Sequence, residues 1–185
     1  MSFNRFKSED AGRILLFIFL AGFAVLARTM EHAPNFTPVA AIGLLGGYLF
    51  RSRLAGLLSV LAAMFVSDLI IGYESVTMRL VVYLAFSVPV LLGSALKSVK
   101  GAKFGVGLVG SSLLSSVSFY LTTNLAVWAL SGMYEHTMQG LVLCYTYALP
   151  FLRNTMIGDL FYTGALFGIY AAVRHFAWRP ATEAA

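Results

Sequence analysis

The fold turns on one stretch, Met138–Phe176, which reads MQGLVLCYTYALPFLRNTMIGDLFYTGALFGIYAAVRHF. It is apolar almost throughout, yet at about 1.5 Å per residue it exceeds one crossing of a hydrocarbon core of about 30 Å. Pro150 lacks an N–H and crowds the preceding helical turn, and Arg153 follows it closely. The reading is an interfacial or re-entrant helix over residues 138–149, a break at Pro150, and a last transmembrane span over 154–174.

Working outward, five more apolar segments precede it, at 13–30, 38–50, 54–73, 78–96 and 104–130. Each is bounded by charge, proline or glycine. The 185-residue chain is 59% hydrophobic and only 11% charged, whereas a soluble domain carries about 25% charged residues. This composition excludes a soluble globular enzyme, a disordered chain and a nucleic-acid binder. The fold class is therefore all-α: a polytopic membrane helical bundle of six transmembrane helices, with the extra helix before the last. No linker divides residues 1–185, so they form one integral membrane domain. Arg5, Lys7 and Arg13 followed by the apolar run Ile14–Ala27 also fit a cleaved signal peptide ending near Val25-Leu26-Ala27. The length of the run and its direct continuation into Arg28-Thr29-Met30 favour a retained span.

Charge gives the direction. Arg5, Lys7, Arg13, Arg51, Arg53, Lys97, Lys100, Lys103, Arg174 and Arg179, ten of the thirteen Lys and Arg residues, fall on one side of a six-span chain. Glu31, Glu74 and Glu135 occupy the opposite loops. The positive-inside rule puts both termini on the cytoplasmic side of the membrane, the chain's partner being the lipid bilayer. A seventh crossing over 138–150 would send Arg174 and Arg179 outward, which excludes it.

Polar side chains inside spans are costly and mark function by default. Here they converge on the outer end: Asp68 near the exit of span three, Asn124 and Trp128 near the exit of span five, Arg153, Asn154 and Asp159 at the start of span six, and His32, Asn35 and Thr37 in the first outer loop. Together these nine are the candidate substrate-binding residues. Ser112, Ser116, Tyr120, Asn124 and Trp128 recur every four residues as a stripe along one helix face, and Thr155, Asp159 and Tyr162 share another. Hydroxyls in such stripes also glue helices together, the plainer reading for Ser112 and Ser116. Arg153 is either neutralised by Asp68 or Asp159 across the bundle or is a fork for an anionic ligand. Two prolines stiffen the loop His32–Pro38, whose Asn35 and Thr37 serve either a lid or a helix cap with Pro38 at the first position. The three histidines share no helical register and Cys144 is single, so neither a metal site nor a cofactor is expected. Gly43–Gly47 and Gly164–Gly168 are small-xxx-small pairs of the kind that permit close helix contact.

Four runs carry a resemblance: His32-Ala-Pro-Asn-Phe-Thr-Pro-Val-Ala-Ala-Ile-Gly-Leu-Leu-Gly-Gly47, Ser67-Asp-Leu-Ile-Ile-Gly72, Thr123-Asn-Leu-Ala-Val-Trp128 and Ala148-Leu-Pro-Phe-Leu-Arg-Asn-Thr-Met-Ile-Gly-Asp-Leu-Phe-Tyr162. Together they resemble an uncharacterised family of bacterial membrane proteins described as candidate transporters. More distantly the chain is similar to the substrate-binding S components of energy-coupling-factor vitamin transporters. That resemblance implies six helices, cytoplasmic termini, an outward-facing ligand pocket and partnership with an energising transmembrane subunit and ATPases. S components often dock that subunit through an Ala-xxx-Ala pair in the first helix, whereas here Ala21 is followed by Val25 and Ala24 by Arg28.

The function expected from residues and resemblance together is capture and import of a small solute, vitamin-like or another small metabolite, without catalysis. The chain has no G-x-x-x-x-G-K-[ST] phosphate loop, so ATP hydrolysis would belong to a partner. Two alternatives stand beside it: an intramembrane enzyme using Asp68 and Asp159 as a carboxylate pair, and a non-catalytic membrane scaffold subunit.

Overall fold

A computed structural model describes residues 3–30, 33–72 and 75–177. They form seven α-helices, with no strand among the described residues: α1 (Phe3–Thr29), α2 (Val39–Leu49), α3 (Arg53–Ile71), α4 (Val76–Ala85), α5 (Ser87–Ala95), α6 (Ala102–Leu130) and α7 (Met138–Ala177), plus a 3-10 turn at Leu96–Ser98. Among the described residues, four helical stretches are long and apolar enough to cross a membrane: Arg53–Ile71, Val76–Ser98, Ala102–Leu130 and Met138–His175. Two shorter apolar pieces, Ile18–Thr29 and Val39–Leu49, accompany them.

The short glycine-rich segment becomes the centre of the bundle. Every residue of α2 from Val39 to Gly47 is buried, as befits a helix that is apolar all round. It packs on α5, α3 and α7. The α2–α5 contact is a backbone-to-backbone approach: a Cβ on Gly47 would collide with the Val90 carbonyl, and one on Gly93 with the Leu44 carbonyl. Among apolar surfaces, where lipid and side chains are equally greasy, such close packing supplies the attraction between helices. The Gly43–Gly47 pair is thus an interface, whereas a Cβ added at Gly164 or Gly168 would meet nothing within 4 Å.

Local chemistry sets the element ends. Ser52 caps α3 by accepting from the Leu54 N–H at 3.2 Å, and Ser75 caps α4 by accepting from Met78 at 3.4 Å. Gly72 closes α3 at φ +86°, a conformation that costs glycine little. The span expected over 78–96 is two helices separated by Phe86, three residues before Pro89, whose ring and missing N–H disrupt that turn. At the basic end, Lys97 donates to the Phe50 carbonyl at 2.7 Å and so satisfies the C-terminus of α2.

One expectation fails. Residues 138–149 are not a separate interfacial or re-entrant helix, because α7 runs unbroken from Met138 to Ala177 with Pro150 inside it. The physical reason is the clasp with α6 just before the proline. Tyr120 donates its hydroxyl to the Tyr145 carbonyl at 2.6 Å, Tyr145 donates to Leu121 O at 2.8 Å, and the Cys144 thiol reaches Asn124 O at 3.4 Å. None of these bonds reaches Thr146 O, the carbonyl that Pro150 deprives of its donor; they instead hold residues 144 and 145 of α7 along α6. Pro150 itself is exposed, so its ring does not have to be fitted into the core.

Candidate functional site

At the end of the bundle where α1 and α3 finish lies a cavity of about 350 Å³. Val39 and Ala40 at the start of α2 line it, and six other segments contribute. Arg28 ends α1, Asn35 and Thr37 come from the α1–α2 loop, Met64 and Ile71 from α3, Phe86 and Pro89 from the α4–α5 junction, Ser115 and Phe119 from α6, and Thr155 and Asp159 from α7. The loop is shaped by its own sequence. Phe36 N–H donates back to Ala33 O at 3.0 Å, with Asn35 in the left-handed region at φ +63°. Proline followed by asparagine at the two corners is the pattern such a turn favours.

Asp159 is 3% exposed. Ser116 donates to one of its carboxylate oxygens at 2.6 Å. No cation pairs with it among the described residues. A buried carboxylate held by a single hydroxyl and facing a cavity is under-supplied with donors for its type. Asp68 is in the opposite position. It binds Arg28 at 2.7 Å and accepts from Tyr83 at 2.8 Å. The guanidinium facing the cavity therefore arrives already neutralised.

The nine residues expected at the site are distributed as follows. Asn35, Thr37 and Asp159 line the main cavity. Thr37 provides no cap to α2, whose N-cap is Pro38 with no side-chain bond. Asn124 lines a smaller hollow of about 90 Å³, walled off from the first by Asn35, Phe119 and Thr155, which border both; its amide donates to Tyr120 O at 2.8 Å. Asp68 is displaced one layer back, behind Arg28. Asn154 donates to Pro34 O at 3.1 Å and so anchors the loop. Trp128 is elsewhere: its indole N–H donates to Glu135 O at 2.9 Å and its ring lies edge-on to His136, closing the α6–α7 turn. Arg153 is exposed and borders neither hollow, so it pairs with neither aspartate and cannot fork an anion in the cavity. An exposed face of α7 carries it, six residues from Asp159 and on a different side of the helix. His32 falls outside the described residues.

The serine stripe proves to be the α6–α7 seam. Thr163 Oγ1 lies 3.4 Å from Ser112 Oγ, Ser116 holds Asp159, and Tyr120 clasps the turn before Pro150. The cavity face is the neighbouring register, Ser115 and Phe119. Arg28 is the main residue missed by sequence reasoning. Its signal is a basic residue at the non-basic end of a span, which requires a partner, and Asp68 is the buried acid at the same level.

Among the described residues no three His, Cys, Asp or Glu side chains gather as a metal site. No curated protein and no solved structure matches the chain. One family profile does, over residues 8–182, nearly the whole length: the chain belongs to a family of unknown function, DUF6580.

Proposed function

We propose that this protein is a bacterial inner-membrane solute-binding protein that captures a small metabolite from the outer side, in the manner of a transport S component. The observation that carries the reading is the cavity of about 350 Å³ with Asp159 buried in its wall and no cation paired with it among the described residues, the Arg28 guanidinium of the same wall being held by Asp68. Ligand sites are concave, mostly apolar and oriented by a few polar groups. Here Phe86, Phe119, Met64 and Pro89 supply the apolar surface, and Asn35, Thr37, Ser115, Thr155 and Asp159 the polar contacts. Because Asp68 neutralises Arg28, the site suits a neutral or donor-bearing molecule rather than a polyanion. Asp159 is the acceptor for its N–H or O–H groups, and Asn35 is the gatepost between the two hollows.

The topology that goes with this reading has six crossings. Val76–Ser98 counts as one, and α2 is a short crossing sheathed by its neighbours. Both termini are cytoplasmic by the basic-residue distribution. The cavity then opens toward the outside, at the end where α1 and α3 finish and α2 and α4 begin. Transport requires a later rearrangement, driven by a partner that hydrolyses ATP or by the solute gradient.

The test is extraction and mass spectrometry of small molecules that co-purify with the full chain in detergent. One compound should be enriched with the wild type and lost with Asp159→Asn and with Phe119→Ala, while Arg153→Ala retains it. No enriched compound in wild type from its native host, or equal retention by Asp159→Asn, refutes the assignment. Turnover of an added lipid or peptide, abolished by Asp159→Asn, would favour the intramembrane-enzyme alternative instead.

A further inference from the structure

The opposite end of the bundle holds a second cavity, of about 700 Å³, between Tyr48 of α2, the turn at residues 99–101, the first turn of α6 and the last turns of α7. Its floor is aromatic. The Tyr48 ring lies 5.4 Å from Phe104, 5.6 Å from Phe167 and 6.0 Å from Tyr170, centroid to centroid. These rings are fixed from below, because Phe167 is buried and belongs to the same core as α2. The rim is basic: Lys100 and Arg174 stand at it, with His175 beside them. No carboxylate lines it among the described residues.

Two cations above a rigid aromatic floor select an amphiphile with an anionic head. Water alone does not explain an apolar hollow, and a free inorganic anion would make no use of four rings. A phosphodiester meets both parts: its oxygens suit the guanidinium fork of Arg174 and the ammonium of Lys100, and its glycerol ester and first methylenes suit the rings. A head carrying its own ammonium would be repelled by the second cation. The neighbouring face of α7 exposes Ile169 and Val173, 61% and 59%, giving an acyl chain an apolar path along the helix. Basic pockets between membrane helices at the headgroup level are where such lipids bind. We infer that this cavity is a binding site for an anionic phospholipid, with Lys100 and Arg174 on the phosphate and Tyr48, Phe104 and Tyr170 against the glycerol and upper chain. The site is separate from the central cavity and does not depend on its solute.

Native mass spectrometry of the full chain, delipidated and then titrated, tests this with three probes: dioleoylphosphatidylglycerol, dioleoylphosphatidylcholine and inorganic phosphate. Phosphatidylglycerol should be retained and raise the melting temperature, while the other two do neither. Lys100→Gln with Arg174→Gln should weaken phosphatidylglycerol retention by about tenfold or more. Arg51→Gln with Lys103→Gln removes the same charge from the same end and should leave retention intact. Tyr170→Leu trims the floor without altering charge and should weaken retention in parallel, which keeps the inference testable if the double variant purifies poorly. Equal retention of phosphatidylcholine, stabilisation by phosphate alone, retention by both cavity variants, or equal loss in the Arg51/Lys103 control would each overturn it.

Discussion

Asn154 on α7 donates its side-chain amide to the Pro34 carbonyl at 3.1 Å, joining residues 120 positions apart. One helical turn further along, the Phe36 backbone lies so close to Gly158 that a Cβ there would stand 3.2 Å from its Cα. The α1–α2 loop is thus seated on α7 by one hydrogen bond and one backbone contact, directly beside Asn35 and Thr37 of the cavity wall. Asn154→Ala should cost about 1 kcal/mol of stability. Gly158→Ala should lift Phe36 and loosen the loop further. Both should speed labelling of a cysteine placed at Asn35 while leaving the helical circular dichroism unchanged. Labelling at the wild-type rate would show that the loop is not held there.

The Arg28–Asp68 pair couples the ends of α1 and α3, with side chains 18% and 8% exposed. Removing one partner of a buried pair leaves the other charge stranded, at a cost of about 3 kcal/mol, whereas replacing both by apolar groups is far cheaper. Arg28→Met and Asp68→Leu should each lower the melting temperature substantially, and the double variant should lie above either single one. Additive losses would mean the two side chains act independently, and the neutralised guanidinium of the cavity wall would have to be reconsidered.

The glycines divide into two classes that melting curves can separate. Gly47→Ala and Gly93→Ala each drive a methyl into a facing backbone carbonyl of the α2–α5 contact. Overpacking typically costs about 1–3 kcal/mol, and rigid backbone on the other side places these two at the upper end. Gly164→Ala and Gly168→Ala meet nothing within 4 Å, and alanine is the better helix former by about 0.5–1 kcal/mol. Those two should be neutral or stabilising. Destabilisation at Gly164 equal to that at Gly93 would indicate an unseen neighbour on that face.

Polarity inside an apolar run was enough to place Asp159 in the wall of a cavity, because lipid offers such a group no partner and it must turn inward; Asn35 and Thr37 join it from the proline-stiffened loop at the same end. The same logic misplaced Arg153, which is exposed: a long basic side chain at a surface can carry its charge away from the bundle on its own apolar stem and needs no internal partner. It misplaced Trp128 too, whose N–H is spent on the Glu135 carbonyl. Arg28, a charge at the end of an apolar run, reads as a boundary, and only the packing of α1 on α3 brings it to Asp68. The role of α2 follows from its all-round apolarity, but its shortness disguised a central helix as a weak span. Pro150 shows the limit of local rules: the proline lowers helix propensity at one position, and the packing of α7 along α6, to which Tyr120 and Tyr145 contribute, carries the helix through it.

The continuity of α7 past Pro150 has a direct physical test. Leu143 and Ile157 are both exposed on α7, on either side of the proline. If the helix is continuous, the step of fourteen residues between them spans about 21 Å along the axis. Spin labels on cysteines at these two positions, with Cys144→Ser to remove the native thiol, project from nearly the same side of the helix and should give a single distance distribution centred near that length and broadened by the label arms. A re-entrant turn at Pro150 would bring the labels well inside it. Tyr120→Phe removes the hydroxyl that reaches the turn before the proline, a loss of about 1 kcal/mol, and should broaden the distribution without shifting it to the folded-back distance. Pro150→Ala restores the backbone donor to the Thr146 carbonyl and should narrow it. A folded-back distance in the wild type would reinstate a separate helix over residues 138–149, and it would also dismantle the clasp of Tyr120 with Tyr145, since that clasp depends on the residues before Pro150 following α6.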